Sequence, residues 1–127
     1  MKMMLVTGGT GGHIYPALAL ADAAVQRYGN EAEIVFVGND DRMEASLIPQ
    51  KGYAFLPLHT SGLVGGIRGK SRAVLQMLKA RRKAAGYIRE FQPDIVIGFG
   101  GYVSAPVILA AHQLGVKTMI HEQNSIM

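Results

Sequence analysis

The chain has 127 residues, 13 of them Lys or Arg and 9 Asp or Glu, which is room for one hydrophobic core and little for a second. About 49% of it is hydrophobic and 17% charged, a globular composition that excludes a disordered or fibrous chain. It has no cysteine, so neither a disulfide framework nor a thiolate metal site is available.

The first element is a short apolar run from Met3 to Thr7 that leads straight into glycines, as a buried strand does. The apolar region of a signal peptide is longer and ends at a small-residue cleavage site, so a cytoplasmic single domain over residues 1–127 is expected. Pro16 to Tyr28 carries Leu18, Ala21, Val25 and Tyr28 at helical spacing, and Gly29-Asn30 stops that helix. A second strand runs from Glu33 to Val37. A short helix from Arg42 to Lys51 follows, with Pro49 disturbing its end. Tyr53 to Leu58 is the third strand, succeeded by a loop with Gly62, Gly65, Gly66 and Gly69. Ser71 to Phe91 reads as a long helix, Asp94 to Ile97 as a strand, Val103 to Leu114 as a helix and Val116 to Ile120 as a fifth strand.

Strands that are apolar throughout and alternate with helices imply a parallel sheet covered on both faces. The expected architecture is a Rossmann-like, doubly wound α/β domain with strand order 3-2-1-4-5 and right-handed crossovers. Ligands in such sheets sit beyond the carboxyl ends of the strands at the switch point, here between the first and fourth strands. The two richest glycine clusters follow those two strands.

The first is Gly8-Gly9-Thr10-Gly11-Gly12-His13. Glycines there let backbone approach a ligand closely, and the helix N-terminus offers free N–H groups to an anion. A dinucleotide fingerprint starting at Gly9 also requires glycine at position 14, which is Ile14. The second cluster is Gly98-Phe99-Gly100-Gly101-Tyr102, with Ser104 and Pro106 opening the next helix. Gly69-Lys70-Ser71 imitates the end of a P-loop, but Val64 stands where that motif needs glycine. His13 falls in the first turn of helix one. There the positive end of the helix dipole favours a neutral imidazole that can accept a proton from a hydroxyl. His121-Glu122-Gln123-Asn124 places four polar residues at the carboxyl end of the fifth strand, where binding groups belong.

Charge is unevenly spread. Arg68 to Glu90 holds eight basic residues against one acid, and the remainder of the chain is net acidic. A local basic patch implies a local anionic partner. Leu63, Val64 and Ile67 lie among glycines with no strand or helix to bury them. On the following helix Arg72, Lys79 and Lys83 fall on one line, and Val74, Leu78, Ala85 and Ile88 fall opposite, where they are expected to pack on the sheet. An apolar loop beside a basic helix face fits peripheral docking on anionic lipid without a spanning segment. Nucleic-acid binding is disfavoured, because the basic stretch has only Tyr87 and Phe91 as aromatics and no accompanying motif. A dehydrogenase-type nucleotide-binding module is the alternative reading of the fold. Ile14 and the late position of Asp40 and Asp41, behind Gly38-Asn39, stand against it.

Taken in order, Thr7-Gly8-Gly9-Thr10-Gly11-Gly12-His13 with Pro16-Ala17-Leu18-Ala19, then Gly98-Phe99-Gly100-Gly101-Tyr102-Val103-Ser104, then His121-Glu122-Gln123-Asn124 closely resemble the amino-terminal half of the MurG family. These are bacterial N-acetylglucosaminyltransferases of peptidoglycan synthesis. The resemblance implies a two-domain, metal-independent, inverting glycosyltransferase of the B fold that uses no cofactor. Its amino-terminal half holds undecaprenyl-pyrophosphoryl-N-acetylmuramyl-pentapeptide (lipid I), and its carboxyl-terminal half holds most of UDP-N-acetylglucosamine. By the same resemblance the acceptor's C4 hydroxyl attacks the anomeric carbon, giving lipid II at the cytoplasmic face of the cell membrane. His13 then matches a candidate base and Glu122 a second one. Thr10, Gly11, Gly12, Gly100, Gly101 and Tyr102 match substrate-binding positions, and Asn124 matches the asparagine that reaches the donor sugar. Ala105 replaces a frequent glycine, and a donor domain is expected outside this chain, which is then an excised or truncated half.

Overall fold

The computed structural model describes residues 1–7, 11–39, 44–58, 70–99 and 104–121. Nine regular elements alternate along it: β1 (Lys2–Val6), α1 (Gly11–Tyr28), β2 (Glu33–Asn39), α2 (Glu44–Gln50), β3 (Ala54–Leu58), α3 (Lys70–Phe91), β4 (Ile95–Gly98), α4 (Ser104–Gln113) and β5 (Lys117–Ile120). The strands form one parallel sheet in the order β3-β2-β1-β4-β5, as the alternation of elements requires. β1 is central, pairing Met4 with Val35 on one side and with Val96 on the other.

Alternation along the strands divides the core into two layers. Met4, Val6, Val35, Val37 and Val96 face the layer that holds Ala84 and Ile88 of α3 and Val107, Ala110 and Ala111 of α4. Met3, Leu5, Phe36 and Ile97 face the opposite layer, with Ile14, Ala17, Leu18 and Ala21 of α1 and Ile48 of α2. Helices therefore cover both faces, and each strand is apolar on both because each face has its own layer to fill. Glycine ends three of the helices, Gly52 (φ +89°) doing so after α2. Gly29 after α1 has φ +60° and Gly115 after α4 has φ +76°, a backbone region that side chains disfavour. α3 ends instead on Gln92 (φ 55°) followed by Pro93, which cannot continue a helix.

Expectations change in four elements. α1 begins at Gly11 and not at Pro16, so the last glycines of the first cluster are its first turn. Pro16 is the sixth residue of α1, past the N–H groups that lack intrahelical partners, so it leaves the Gly12 carbonyl without its i+4 donor inside the helix. The buried stripe of α1 is Ile14, Ala17, Leu18, Ala21 and Ala24, whereas Val25 and Tyr28 are about 40% exposed. α2 runs through Pro49 to Gln50.

The third change concerns α3. Ile88 is buried and Ala85 packs against the core as expected, but Val74 (60% exposed) and Leu78 (47%) do not reach the sheet. Length explains this. A helix of 22 residues is ~33 Å long, and strands of four to seven residues are much shorter. α3 crosses from the carboxyl end of β3 to the amino end of β4, so its first half overhangs the carboxyl edge of the sheet. Burial begins at Ala80 and continues through Ala84 to Ile88. The fourth change is β5. All four of its residues are exposed, Met119 and Ile120 included, because it is an edge strand that no described element covers.

Candidate functional site

At the carboxyl edge, the switch point lies between β1 and β4, where the crossovers diverge to opposite faces. Three chain segments arrive there side by side. Thr7, fully buried, donates its backbone N–H to the Val37 carbonyl at 2.9 Å, and the first glycine cluster follows it. Phe99 donates its N–H to the Val6 carbonyl at 2.9 Å, immediately before Gly100-Gly101-Tyr102. His121 donates its N–H to the Gly98 carbonyl at 2.8 Å, immediately before Glu122. The sheet's hydrogen bonding thus runs one residue past β1, β4 and β5 before each polar or glycine-rich segment departs.

Two helices also begin at this edge. The first turn of α1 contains Gly11 and Gly12, which the sequence placed in the preceding loop, and His13, which it placed in that turn; N–H groups in a first turn have no intrahelical partners and suit an anion. α4 begins at Ser104, which is 8% exposed. Glycine at 98 has a packing reason. A Cβ there would lie 3.2 Å from Ser104 Oγ and 3.3 Å from Ser104 Cβ, so the absence of a side chain lets the start of α4 close down on β4. Sequence reading treated Gly98 only as part of a ligand loop and missed this contact, which is between residues six apart.

Thr10, Gly100, Gly101, Tyr102, Glu122 and Asn124 lie outside the described residues, as do Leu63, Val64 and Ile67. The side chains of His13 and Arg72 also lie outside them, while the backbone of Gly11 and Gly12 is described as part of α1. The described residues next to three of those segments, Thr7, Phe99 and His121, lie at the ends of β1, β4 and β5 on one edge of one sheet.

Lys79 and Lys83 lie on α3 and are exposed, as placed. Lys83 Nζ sits 6.0 Å from the centre of the Tyr87 ring. A groove of about 600 Å³ runs along α3 from Leu75 to Arg89, lined by Leu75, Leu78, Lys79, Arg81, Arg82, Ala85 and Arg89, with Gln113 at the end of α4 opposite. Four cations thus surround exposed leucines. Of the two leucines, Leu78 is one that helical periodicity places on the sheet; periodicity registers a stripe without registering where the sheet beneath it stops. No helix among the described residues is long and apolar enough to cross a membrane.

Away from this edge, Tyr53 donates its hydroxyl to Asp22 Oδ1 at 2.5 Å and ties the start of β3 to α1. Burial, together with the hydrogen bond to Asp22 and its negative charge, pushes the Tyr53 hydroxyl up to about 12.

A five-stranded, doubly wound parallel sheet with glycine-rich loops at its switch point is the architecture of one half of a B-fold glycosyltransferase. The chain belongs to glycosyltransferase family 28, whose N-terminal domain matches residues 3–127. It is 42% identical over 127 residues to the UDP-N-acetylglucosamine--N-acetylmuramyl-(pentapeptide) pyrophosphoryl-undecaprenol N-acetylglucosamine transferase 1 of Bacillus anthracis, covering 99% of this chain and 35% of that protein. It is 43% identical over 126 residues to the transferase of the same name from Desulforamulus reducens, covering 98% and 34%. Among solved structures, Acinetobacter baumannii MurG superposes with a TM-score of 0.82 at 33% identity, over 98% of this chain and 36% of that one. The chain therefore spans about a third of the length of these relatives. A UDP-GlcNAc 2-epimerase from Methanocaldococcus jannaschii, at 17% identity and a TM-score of 0.60, shares the fold alone.

Proposed function

We propose that this chain, over residues 1–127, is the acceptor-side domain of an inverting glycosyltransferase. The enzyme transfers N-acetylglucosamine from UDP-N-acetylglucosamine to the C4 hydroxyl of undecaprenyl-pyrophosphoryl-N-acetylmuramyl-pentapeptide. The observation that carries this reading is the family match over almost the whole chain, with its glycine-rich segments converging on one sheet edge. A pyrophosphate needs backbone N–H groups and a helix N-terminus, and the first turn of α1 offers both. In this reading Thr10, Gly11, Gly12, Gly100, Gly101 and Tyr102 surround the acceptor, His13 takes the proton from its attacking hydroxyl, and Glu122 is the second candidate for that task. Asn124 reaches toward the donor sugar, which is held mainly by a carboxyl-terminal domain supplied by further polypeptide. The half described here binds acceptor and does not turn it over unaided.

An acceptor carrying a lipid chain puts the enzyme at a membrane surface. Peripheral docking on the cytoplasmic leaflet is supported by the exposed Leu75 and Leu78 of α3 beside Lys79, Arg81 and Arg82. Because that half of α3 overhangs the same sheet edge as the glycine loops, docking there brings the acceptor's headgroup to the site.

Titration of the chain with a short-chain, water-soluble analogue of the acceptor, with UDP-N-acetylglucosamine and with NAD tests the reading. Saturable binding of the acceptor analogue, with weak or no donor binding, is the expected result. Tight NAD binding in its place moves the chain to the dehydrogenase-type alternative.

A further inference from the structure

The backbone hydrogen bonds at the carboxyl edge fix where β1, β4 and β5 end, but they do not set the spacing between the segments that leave them. Phe99 is the first residue after β4 and is 4% exposed. It belongs to the core layer that contains Ile14 and Ala17, the inward-facing residues of the first turns of α1. Its own N–H is bonded to Val6, one residue before Thr7 and the first glycine cluster. The ring of His121 packs on it, with centroids 5.5 Å apart and planes tilted by 49°, and the His121 backbone is bonded to the neighbouring Gly98.

We infer that Phe99 is a positioning residue: its buried ring spaces the first turns of α1, the end of β4 and His121 at the end of β5, the points from which the residues of the proposed acceptor site depart. The inference rests on the proposed acceptor site and goes beyond it, since Phe99 itself touches no substrate. An aromatic ring suits this place because it is large, rigid and apolar on both faces. A smaller side chain leaves the backbone bonds intact but lets the first turn of α1 and the His121 segment settle inward. Displacements of about 1 Å among groups that hold a ligand cost on the order of 10²-fold.

The test uses Phe99→Leu, which keeps the site apolar, and His121→Ala, an exposed position where the core is not disturbed. His121→Phe restores a ring on Phe99 without the imidazole. The parent is first titrated with the short-chain acceptor analogue. Phe99→Leu and His121→Ala are expected to bind it 10- to 100-fold more weakly with circular dichroism unchanged, and His121→Phe to bind within about threefold of the parent. Parental binding by both Phe99→Leu and His121→Ala overturns the inference, as does His121→Phe being as weak as His121→Ala. If the parent itself binds no acceptor analogue, the acceptor reading fails and positioning is judged separately by amide NMR. Phe99→Leu must then shift the signals of Gly11–His13 and Glu122–Asn124 together. Shifts confined to residues 97–101 overturn it.

Discussion

Replacing Leu75 and Leu78 by serine separates a docking surface from a core. The two side chains are 52% and 47% exposed, so roughly half of each remains to be buried by a partner. Complete burial of a leucine side chain is worth about 1.5–3 kcal/mol, and half of that is ~1 kcal/mol each. The pair therefore contributes ~2 kcal/mol to a lipid interface, or about 30-fold in affinity. Lys79 and Arg82 add about 1 kcal/mol apiece at an anionic surface, a part that salt removes. Stability is expected to change by less than about 1 kcal/mol, because water already reaches these positions. Sedimentation with vesicles containing anionic lipid, at low and high salt, measures the effect. The parent should bind anionic vesicles and be released by salt, and the double variant should bind about 30-fold more weakly with an unchanged melting temperature. Binding equal to the parent's refutes docking through the overhanging half of α3. Unfolding of the variant refutes the claim that this half carries no core.

Ile88→Ala, on the same helix but 2% exposed, should destabilise by about 2–5 kcal/mol, read as a fall in the denaturant midpoint. Gly98→Ala should cost about 1–3 kcal/mol because the added methyl meets Ser104 at 3.2 Å; adding Ser104→Gly should recover most of the loss, and no recovery would place the strain elsewhere. Tyr53 has its hydroxyl pushed up to about 12 from 10.0, so its contribution to stability is whole below pH 10 and is lost as pH rises from 10 toward 12. The bond to Asp22 is solvent-exposed, which holds that contribution to ~1 kcal/mol; Tyr53→Phe should remove it below pH 10 and leave a flatter stability profile between pH 10 and 12. In an enzyme completed with its donor domain, His13→Ala should lower kcat by roughly 10²–10⁴, and a full-rate variant would pass the role of base to Glu122.

Element order, sheet topology and the position of the glycine clusters were all legible in the amino-acid sequence. Each depends on local chemistry: apolar strands such as Met3–Val6, glycine stops such as Gly29, and the handedness of parallel crossovers. The clustering of cations between Arg68 and Arg89 was equally plain, since charge needs no fold to be counted. Tertiary structure decided which apolar residues are core. Val74 and Leu78 continue the apolar arc of Ala85 and Ile88, yet they are exposed because α3 outruns the strands beneath it, while Leu75 lies on the side of the helix opposite Ala84. Met119 and Ile120 read as buried strand but lie on an uncovered edge. The closeness of Gly98 to Ser104 and the stacking of His121 on Phe99 likewise belong to the fold, since the second joins residues more than twenty apart in the chain. Periodicity records which face of an element is apolar; whether anything stands opposite that face depends on the lengths and neighbours of other elements.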